Sequence, residues 1–211
     1  MQDGTSSIMS YEFQYREYAE ALYDALVEDA FYITMEQSIA DSQEAKEGLL
    51  KYLDYSMVES AQYGELLLPE GDKIGCSIWS KPITPEQSAA KSKAKKEFLL
   101  KHMGQNSLDT YNAIVGSMSA CTEGLVSDDD WYLSILGLLP EYQGQGLGSS
   151  LVMPVLKEAD RLGVASYIET FTPRNKTFYQ RLGYVEIGAF KEPTTKTEFA
   201  VMRREPQKSK G

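Results

Sequence analysis

Residues 136–148 read LGLLPEYQGQGLG and join two different hydrophobic patterns. The run WYLSILGLLP before them is typical of a buried strand that ends at Pro140, whereas apolar residues from Gly146 to Leu162 recur at helical spacing. Glycines in such a turn let the backbone adopt positive φ and approach a ligand closely. The N–H groups at the start of the following helix suit a pyrophosphate, so this stretch predicts a phosphate cradle.

Two familiar phosphate cradles fit the turn poorly. A G-x-G-x-x-G dinucleotide fingerprint would use Gly144 and Gly146, but its third glycine falls on Ser149. Glu169 lies at about the sequence distance from the turn at which that fingerprint places an acidic residue for the ribose. The dinucleotide interpretation is therefore weakened by the missing glycine but stays open. A P-loop needs a Gly-Lys-Ser/Thr ending, which the turn lacks. A tight turn that binds nothing is the remaining alternative.

A third pattern, the acyl-CoA loop Arg/Gln-x-x-Gly-x-Gly/Ala, is satisfied in order by Gln143, Gly146 and Gly148. Residues 136–148 as a whole resemble the strand-to-helix core motif of the GNAT acetyltransferase superfamily. A second stretch resembles that family's Asn-x-x-x-Tyr-x-x-x-Gly-Phe motif through Asn175 and Tyr179, with Tyr184 in place of the phenylalanine. Within the superfamily the resemblance is strongest to the puromycin N-acetyltransferase branch, through residues 78–82, 168–170, 173–175 and 178–179.

The resemblance implies an α/β fold with a mixed, mostly antiparallel sheet, flanked by helices, whose fourth and fifth strands splay apart to admit acetyl-CoA. It covers residues 131–190 specifically and implies the following cofactor-binding residues: Leu138, Leu139, Gln143, Gly144, Gln145, Gly146, Leu147, Gly148, Ser149 and Asn175. Asn175 would bond the pantetheine arm, and a role as cap of the short helix that follows is the alternative, which is compatible with that bond. Gly137 would allow close approach of the cofactor, or mark a bulge.

Two residues are candidates for proton transfer. The resemblance places Tyr179 beside the departing sulfur, and a tyrosine stays protonated at neutral pH and can act as the general acid. Glu169, near the end of the predicted fifth strand, could take a proton from the acceptor ammonium, hold its charge, or pair with Arg174. Transfer through Cys76 or Cys121 is not expected, because neither lies in the motifs.

Patterns elsewhere predict the remaining elements. Strands are expected at 11–16, 65–68, 74–80, 166–170, 185–190 and 196–203, with helices at 18–26, 42–63 and 175–182. Pro154 predicts a mild kink in the helix over 146–162. Residues 83–127 predict a helical insertion with a second helix at 108–118, and the lysines of its first helix are expected on a solvated face. We therefore expect one domain over 10–205, a disordered lead at 1–9 and a polar tail at 206–211.

Composition narrows the classes of function. A net charge of −10 argues against nucleic-acid binding, and no apolar run is long enough to span a bilayer. Two distant cysteines predict neither a disulfide framework nor a metal site, and with no signal-like N-terminus they favour a cytoplasmic location. The single histidine, His102, is expected at the surface, so a histidine triad is not predicted.

We therefore predict direct acetyl transfer from acetyl-CoA to an amine in a ternary complex, with a small-molecule acceptor whose site is shaped by residues 83–127. Acetylation of a protein lysine or N-terminus, and a non-catalytic acyl-CoA sensor, are the alternatives. The similarity to the puromycin branch lies mainly in the cofactor half, so we expect little or no acetylation of puromycin itself. The sequence leaves a homodimer open.

Overall fold

The computed structural model describes residues 10–208, in which one sheet carries helices on both faces. The helices are α1 (Arg16–Ala25), α2 (Ala30–Gln37), α3 (Ala45–Tyr63), α4 (Pro85–His102), α5 (Gln105–Thr122), α6 (Leu147–Ser150), α7 (Met153–Leu162) and α8 (Lys176–Arg181). The strands are β1 (Gly64–Leu67), β2 (Gly75–Ser80), β3 (Trp131–Leu138), β4 (Ser166–Thr170), β5 (Val185–Glu192) and β6 (Thr197–Arg204).

The six strands lie in the order β1-β2-β3-β4-β6-β5, and every neighbouring pair except β3 and β4 is antiparallel. The mixed, mostly antiparallel sheet expected from the sequence is therefore confirmed. Helices α1–α5 pack through residues such as Leu22, Leu53 and Ile114 against one set of strand side chains. Helices α7 and α8 pack through Leu156 and Tyr179 in a second cluster.

The parallel pair β3–β4 opens after its first residues. It pairs only at Trp131–Ser166 and Tyr132–Tyr167, and beyond these positions the two strands have no further register. The expected splay is therefore present, between the third and fourth strands, because the strand predicted at 11–16 does not form. From about residue 133 onward β3 has no strand partner on this side in the described part of the chain, and near its end the Leu138 carbonyl accepts a hydrogen bond from Gln143 Nε2 at 2.9 Å.

The segment 11–16 is held by a buried carboxylate instead of a sheet. Asp54 of α3 is fully buried and accepts hydrogen bonds from Tyr11 Oη at 2.6 Å, Gln14 N at 3.1 Å and Tyr15 N at 2.6 Å. In a strand, the backbone N–H groups of Gln14 and Tyr15 would donate to a neighbouring strand. Here the Asp54 side chain accepts their hydrogen bonds instead, so the segment does not need a strand partner. The alternating pattern was therefore misleading, and α1 begins directly at Arg16.

The helix predicted over 146–162 is interrupted more strongly than expected. It divides into α6 and α7, with Val152 at φ −123° between them and Pro154 in the first turn of α7. Proline lacks the N–H that would bond the Ser150 carbonyl, and its ring clashes with that carbonyl in a continuous helix. The chain accommodates this by i→i−3 bonds from Leu151 N to Gly148 O and Val152 N to Ser149 O.

The remaining differences concern helices. Helix α2 was not predicted, whereas the two helices found within 83–127 agree with the prediction, although α5 extends beyond 108–118 at both ends. His102 is half-buried, with its ring 5.2 Å from the ring centroids of both Tyr11 and Phe98, and not at the open surface. No helix among residues 10–208 combines the length and apolarity required to cross a bilayer. The predicted lead at 1–9 and the last residues of the tail, 209–211, lie outside the described residues.

Candidate functional site

A cavity of about 500 Å³ lies beside the glycine turn, and we call it the turn cavity. Its walls come from the end of α1, the free edge of β3, the turn at 143–149, and α8 with the segment before it. It contains Leu136, Gly137 and Leu138 from the part of β3 that has parted from β4. The opening of the sheet therefore forms one wall of a site large enough for an extended ligand.

The turn itself offers unpaired backbone donors. Gly144 and Gly146 have φ of +74° and +78°, and an added Cβ at either position would project into open space. Among residues 10–208 no hydrogen bond is donated by the backbone N–H groups of 144–146. Consecutive free amides at positive-φ glycines form an anion-binding concavity. Because α6 has only four residues, any anion at this turn would meet these local amides and not a long helix dipole.

The structure places seven of the ten predicted cofactor residues on the turn cavity. They are Leu138, Gln143, Gly144, Gly146, Gly148, Ser149 and Asn175. Leu139, Gln145 and Leu147 are not among its lining residues. The Leu139 amide donates to Ile74 O at 2.8 Å, and the Gln145 side chain donates to Glu141 O at 2.9 Å, so both hold the turn in shape.

The structure shows what surrounds Gly137, Gly148 and Asn175, three residues of the predicted cofactor region. A Cβ on Gly137 would lie 2.6 Å from Leu22 Cδ2, so this glycine favours close packing of α1 on the sheet, and it also lines the turn cavity, where its role in cofactor approach stays a prediction. A Cβ on Gly148 would lie 3.1 Å from the Phe178 ring. Asn175 makes no side-chain capping bond at the start of α8, so its amide is available to the cavity and the capping alternative is wrong.

Tyr179 lines the turn cavity from α8 and is largely buried. Its ring packs edge-on against those of Phe178 and Tyr184, while its hydroxyl bonds to no other described residue. Burial raises the pKa of Tyr179, and the nearby Tyr184 and Asp29 raise it further. The hydroxyl therefore carries its proton throughout the neutral range and can donate it into the cavity.

A second cavity, of about 400 Å³, lies between the sheet and helices α2–α5, and we call it the tyrosine cavity. The aromatic residues on its walls are Phe31, Tyr32, Tyr52, Tyr111, Tyr132, Tyr167 and Phe171. Helices α4 and α5 close one side of it, as expected for the segment 83–127. Aromatic rings with nearby carboxylates provide a suitable environment for a cationic group.

Glu169 lines the tyrosine cavity and accepts a hydrogen bond from Thr122 Oγ1 at 3.0 Å. Burial raises the pKa of its carboxyl group, and the bonds from Thr122 and Tyr132 oppose that rise. The predicted alternative, a pair with Arg174, is wrong, because Arg174 lies 2.6 Å from Glu28 instead. Glu169 therefore has no cationic partner among the described residues and is held in place by neutral hydroxyls.

The lysines of α4 do not all lie on a solvated face. Lys95 is only 8% exposed, pairs with Glu59 at 3.4 Å and lies over the rings of Tyr52 and Tyr55. Burial lowers the pKa of Lys95. Lys91 and Lys96 also line the tyrosine cavity, but Lys96 is exposed and Lys91 half-buried, so the prediction of a solvated face is wrong for Lys95 alone. The cavity therefore carries charges of both signs.

The chain matches the family model described as an acetyltransferase (GNAT) domain over residues 106–186, from α5 into β5. Among solved structures it is similar to a Corynebacterium glutamicum protein described as a histone acetyltransferase HPA2 and related acetyltransferase, with 18% identity, a TM-score of 0.64 and 96% of each chain covered. A second structure, described as an acetyltransferase, has 15% identity and a TM-score of 0.53, over 93% of this chain and 98% of the other. This chain has the GNAT acetyltransferase fold. The family match and the fold together support its place in the GNAT superfamily.

Within this GNAT fold, one feature of the site had no signal in the motifs. The loop between α1 and α2 brings Asp29 to the turn cavity and to the tyrosine cavity, and among residues 10–208 only Asp29 lines both. Asp29 also begins α2, where its Oδ1 accepts a hydrogen bond from Phe31 N at 2.9 Å. Only the pattern of an N-cap aspartate before a hydrophobic run could have suggested its importance.

Cys76 is fully buried in β2 and lines neither cavity of the GNAT fold. Burial raises the pKa of its thiol to about 12, so it is protonated at neutral pH and a poor nucleophile. Cys121 lines neither cavity. That no cysteine carries the acyl group stays a prediction.

Proposed function

We propose that this protein transfers the acetyl group of acetyl-CoA directly to an amine. The observation that carries the proposal is the arrangement of free turn amides and an unpaired β3 edge around one cavity, which meets a second, aromatic cavity at Asp29. The first cavity has the donors that a pyrophosphate and an amide-bearing chain need. The second has aromatic rings and, beside its lysines, the carboxylates of Asp29 and Glu169, which have no salt-bridge partner among the described residues and would suit a cationic acceptor.

The residues of the turn cavity fit acetyl-CoA. The amides of Gly144 and Gly146 would hold the pyrophosphate, with Arg181 and Arg174, the latter paired with Glu28, on the same cavity. The backbone of Leu136, the N–H of Leu138 and the side-chain amide of Asn175 would bond the pantetheine amides, whereas the Leu138 carbonyl already accepts a hydrogen bond from Gln143 Nε2 at 2.9 Å. When bound there, acetyl-CoA supplies a thioester whose acetyl group is activated for attack by an amine.

Tyr179 would deliver a proton to the departing sulfur. Tyr179 lines the turn cavity and its hydroxyl has no bonding partner among the described residues, so that hydroxyl would be available to a ligand. Unpaired backbone N–H groups of the β3 edge would stabilise negative charge that develops on the acetyl oxygen, an effect that is stronger away from water. Because neither cysteine lines the two cavities, transfer would occur within a complex that holds both substrates.

The acceptor we favour is a small-molecule amine. The tyrosine cavity is bounded by residues from α2, α3, α4, α5 and three strands, and its volume of about 400 Å³ is within the range of small-molecule sites. One similar structure is described as a histone acetyltransferase and related acetyltransferase, so a protein lysine is the second candidate acceptor. A lysine within a protein requires an open groove, and here helices α4 and α5 form one wall of the cavity.

Glu169 has two candidate roles in the tyrosine cavity: it takes the proton of the ammonium, or it holds the acceptor by charge. If Glu169 is the base, the Glu169→Gln variant should lose rate mainly at low pH, where more of the amine is protonated. A binding carboxylate would raise the acceptor KM at all pH values. The fixed bond from Thr122 and the position away from the turn cavity favour the binding role.

We expect acetyl-CoA and CoA to raise the melting temperature of the protein. A ligand bound only by the folded state stabilises it by about 2.7 kcal/mol at a hundredfold excess over Kd, which corresponds to roughly 5–10 °C for a domain of this size. Differential scanning fluorimetry, with ATP and NADH as unrelated nucleotide controls, is the test. An unchanged melting curve in millimolar acetyl-CoA would exclude the assigned cofactor.

A further inference from the structure

Asp29 lines both cavities and so lies between them. Its loop follows α1, whose last residues line the turn cavity together with Leu136 and Leu138 of β3. Phe31 and Tyr32, directly after it, line only the tyrosine cavity. Glu169 and Glu59 also line only the tyrosine cavity. Among the carboxylates of the described residues, Asp29 alone therefore faces both the cofactor side and the acceptor side.

Backbone hydrogen bonds hold the Asp29 side chain in place, and its surroundings raise the pKa of its carboxyl group. The N–H of Phe31 donates to Oδ1 at 2.9 Å, and that of Tyr32 also stabilises the ionised form. Burial outweighs these bonds and raises the pKa of Asp29 from 3.8 to about 6. The titratable groups facing it are the hydroxyls of Tyr32 and Tyr179, while the nearby Glu28 is paired with Arg174. Asp29 is thus ionised at neutral pH, yet a better proton acceptor than an exposed aspartate.

We propose that Asp29 binds the acceptor's primary ammonium group at the junction of the two cavities and takes the proton that must leave before the nitrogen can attack. This proposal rests on the proposed function and names its base. It assigns Glu169 to acceptor binding. The acceptor must then be a compound that is cationic at neutral pH, with its body among the tyrosines and its amine pointing toward the turn cavity.

The transfer balances with the groups present. One proton of R–NH3+ passes to an Asp29 oxygen, and from there to water. The neutral nitrogen then forms a bond to the acetyl carbon while the bond from that carbon to sulfur breaks. Sulfur takes the Tyr179 proton, and the second proton lost by nitrogen restores Tyr179. The products are R–NH–COCH3, CoA thiol and one released proton.

The test variant is Asp29→Asn, because asparagine is also a good N-cap and can accept the Phe31 bond while it cannot take a proton. Asp24→Asn, on the exposed face of α1, is the matched control for the same chemical change. Tyramine, agmatine and spermidine serve as acceptor probes, with thiol release as the assay. At pH 7 we expect kcat/KM for the best probe to fall by about 10²–10³-fold in Asp29→Asn and to stay within about twofold in Asp24→Asn.

The pH profile separates a base from a residue that only supports the fold. In the parent, kcat/KM should be level above about pH 6 and fall below it, as the Asp29 pKa of about 6 requires. In Asp29→Asn only the neutral amine reacts, so kcat/KM should rise about tenfold per pH unit up to the pKa of the amine. Glu169→Gln should keep the parent profile with a raised acceptor KM. If Glu169→Gln loses the level region and Asp29→Asn keeps it, the base is Glu169 and the proposal is wrong.

Stability supplies a readout that does not need turnover. A carboxyl group whose pKa is raised on folding weakens the fold when it ionises, so this cost appears as pH rises from about 4 through 6. The melting temperature of the parent, measured relative to that of Asp29→Asn, should therefore fall as pH rises over that interval and stay constant at higher pH. A difference that does not vary with pH would overturn the buried-base assignment. If CoA fails to bind the parent by calorimetry, the proposed function itself is wrong and the inference fails with it; Asp29→Asn should bind CoA at least as tightly as the parent.

Discussion

Replacing Tyr179 with phenylalanine is expected to lower kcat by about 10²–10⁴-fold while the Kd of CoA stays nearly unchanged. The variant removes one hydroxyl that bonds to no other described residue, so the packing against Phe178 and Tyr184 is retained. Without that hydroxyl the thiolate must leave unprotonated or take a proton from water. Steady-state kinetics on the best acceptor, with CoA affinity from calorimetry, measures both quantities.

Tyr184→Phe is the matched control, because it deletes the same hydroxyl from the neighbouring ring. The Tyr184 hydroxyl is 2.8 Å from Ser166 Oγ in the interior, and it does not line either cavity. Its loss should cost about 1–2 kcal/mol of stability, since Ser166 is left unpaired, with no comparable effect on kcat. A Tyr179→Phe variant that keeps full turnover when chemistry limits the rate would remove the acid role and leave Tyr179 as a packing residue.

Replacing Gly146 with valine is expected to weaken CoA binding by at least about 100-fold. Gly146 lies at φ +78°, and its missing Cβ leaves open space beside the free amides of the turn. A branched side chain there would fill the concavity and change the direction of the amides. The backbone strain of the variant should cost about 1–2 kcal/mol. The measurement is the melting shift produced by acetyl-CoA.

Gly163→Val is the control that separates the effect of backbone strain on stability from the effect of losing the cofactor site. Gly163 ends α7 at φ +70°, its Cβ would also project into open space, and it lines neither cavity. Both variants should lose similar stability, but only Gly146→Val should lose the response to acetyl-CoA. An equal response in the two variants would show that the turn does not hold the cofactor.

The elements that could be predicted are those whose signal is local. The strand ending at Pro140, the glycine turn and the Tyr179 helix each carry their own pattern, and each lies where it was expected. The strand predicted at 11–16 failed because the Asp54 carboxylate, forty residues away in sequence, provides bonds that the pattern does not show. The position of the helix break at Pro154 was predicted, but a mild kink was expected and the helix divides in two. The i→i−3 bonds that accommodate the break depend on the preceding turn.

The acceptor side could be predicted far less well than the cofactor side. The turn is contiguous in sequence, whereas the tyrosine cavity collects residues from seven elements that meet only in the folded chain. Lys95 has the pattern of a surface lysine and becomes buried because Glu59 of α3 lies opposite it. Asp29 reads as an ordinary helix cap, and its exposure to two cavities depends on the splay of β3 from β4.

Acetyl transfer from acetyl-CoA to a small amine can be tested in a single assay. The protein is incubated with acetyl-CoA and a panel of amines that includes puromycin, and a lysine-containing peptide is tested in parallel. Free thiol is followed with a chromogenic disulfide, and the products are identified by mass spectrometry. We predict thiol release that depends on a small cationic amine and matches the amount of acetylated amine, with little or no conversion of puromycin or of the peptide. Tight binding of acetyl-CoA with no amine-dependent thiol release would contradict this function and indicate a sensor, and acetylation of the peptide alone would contradict the small-molecule acceptor.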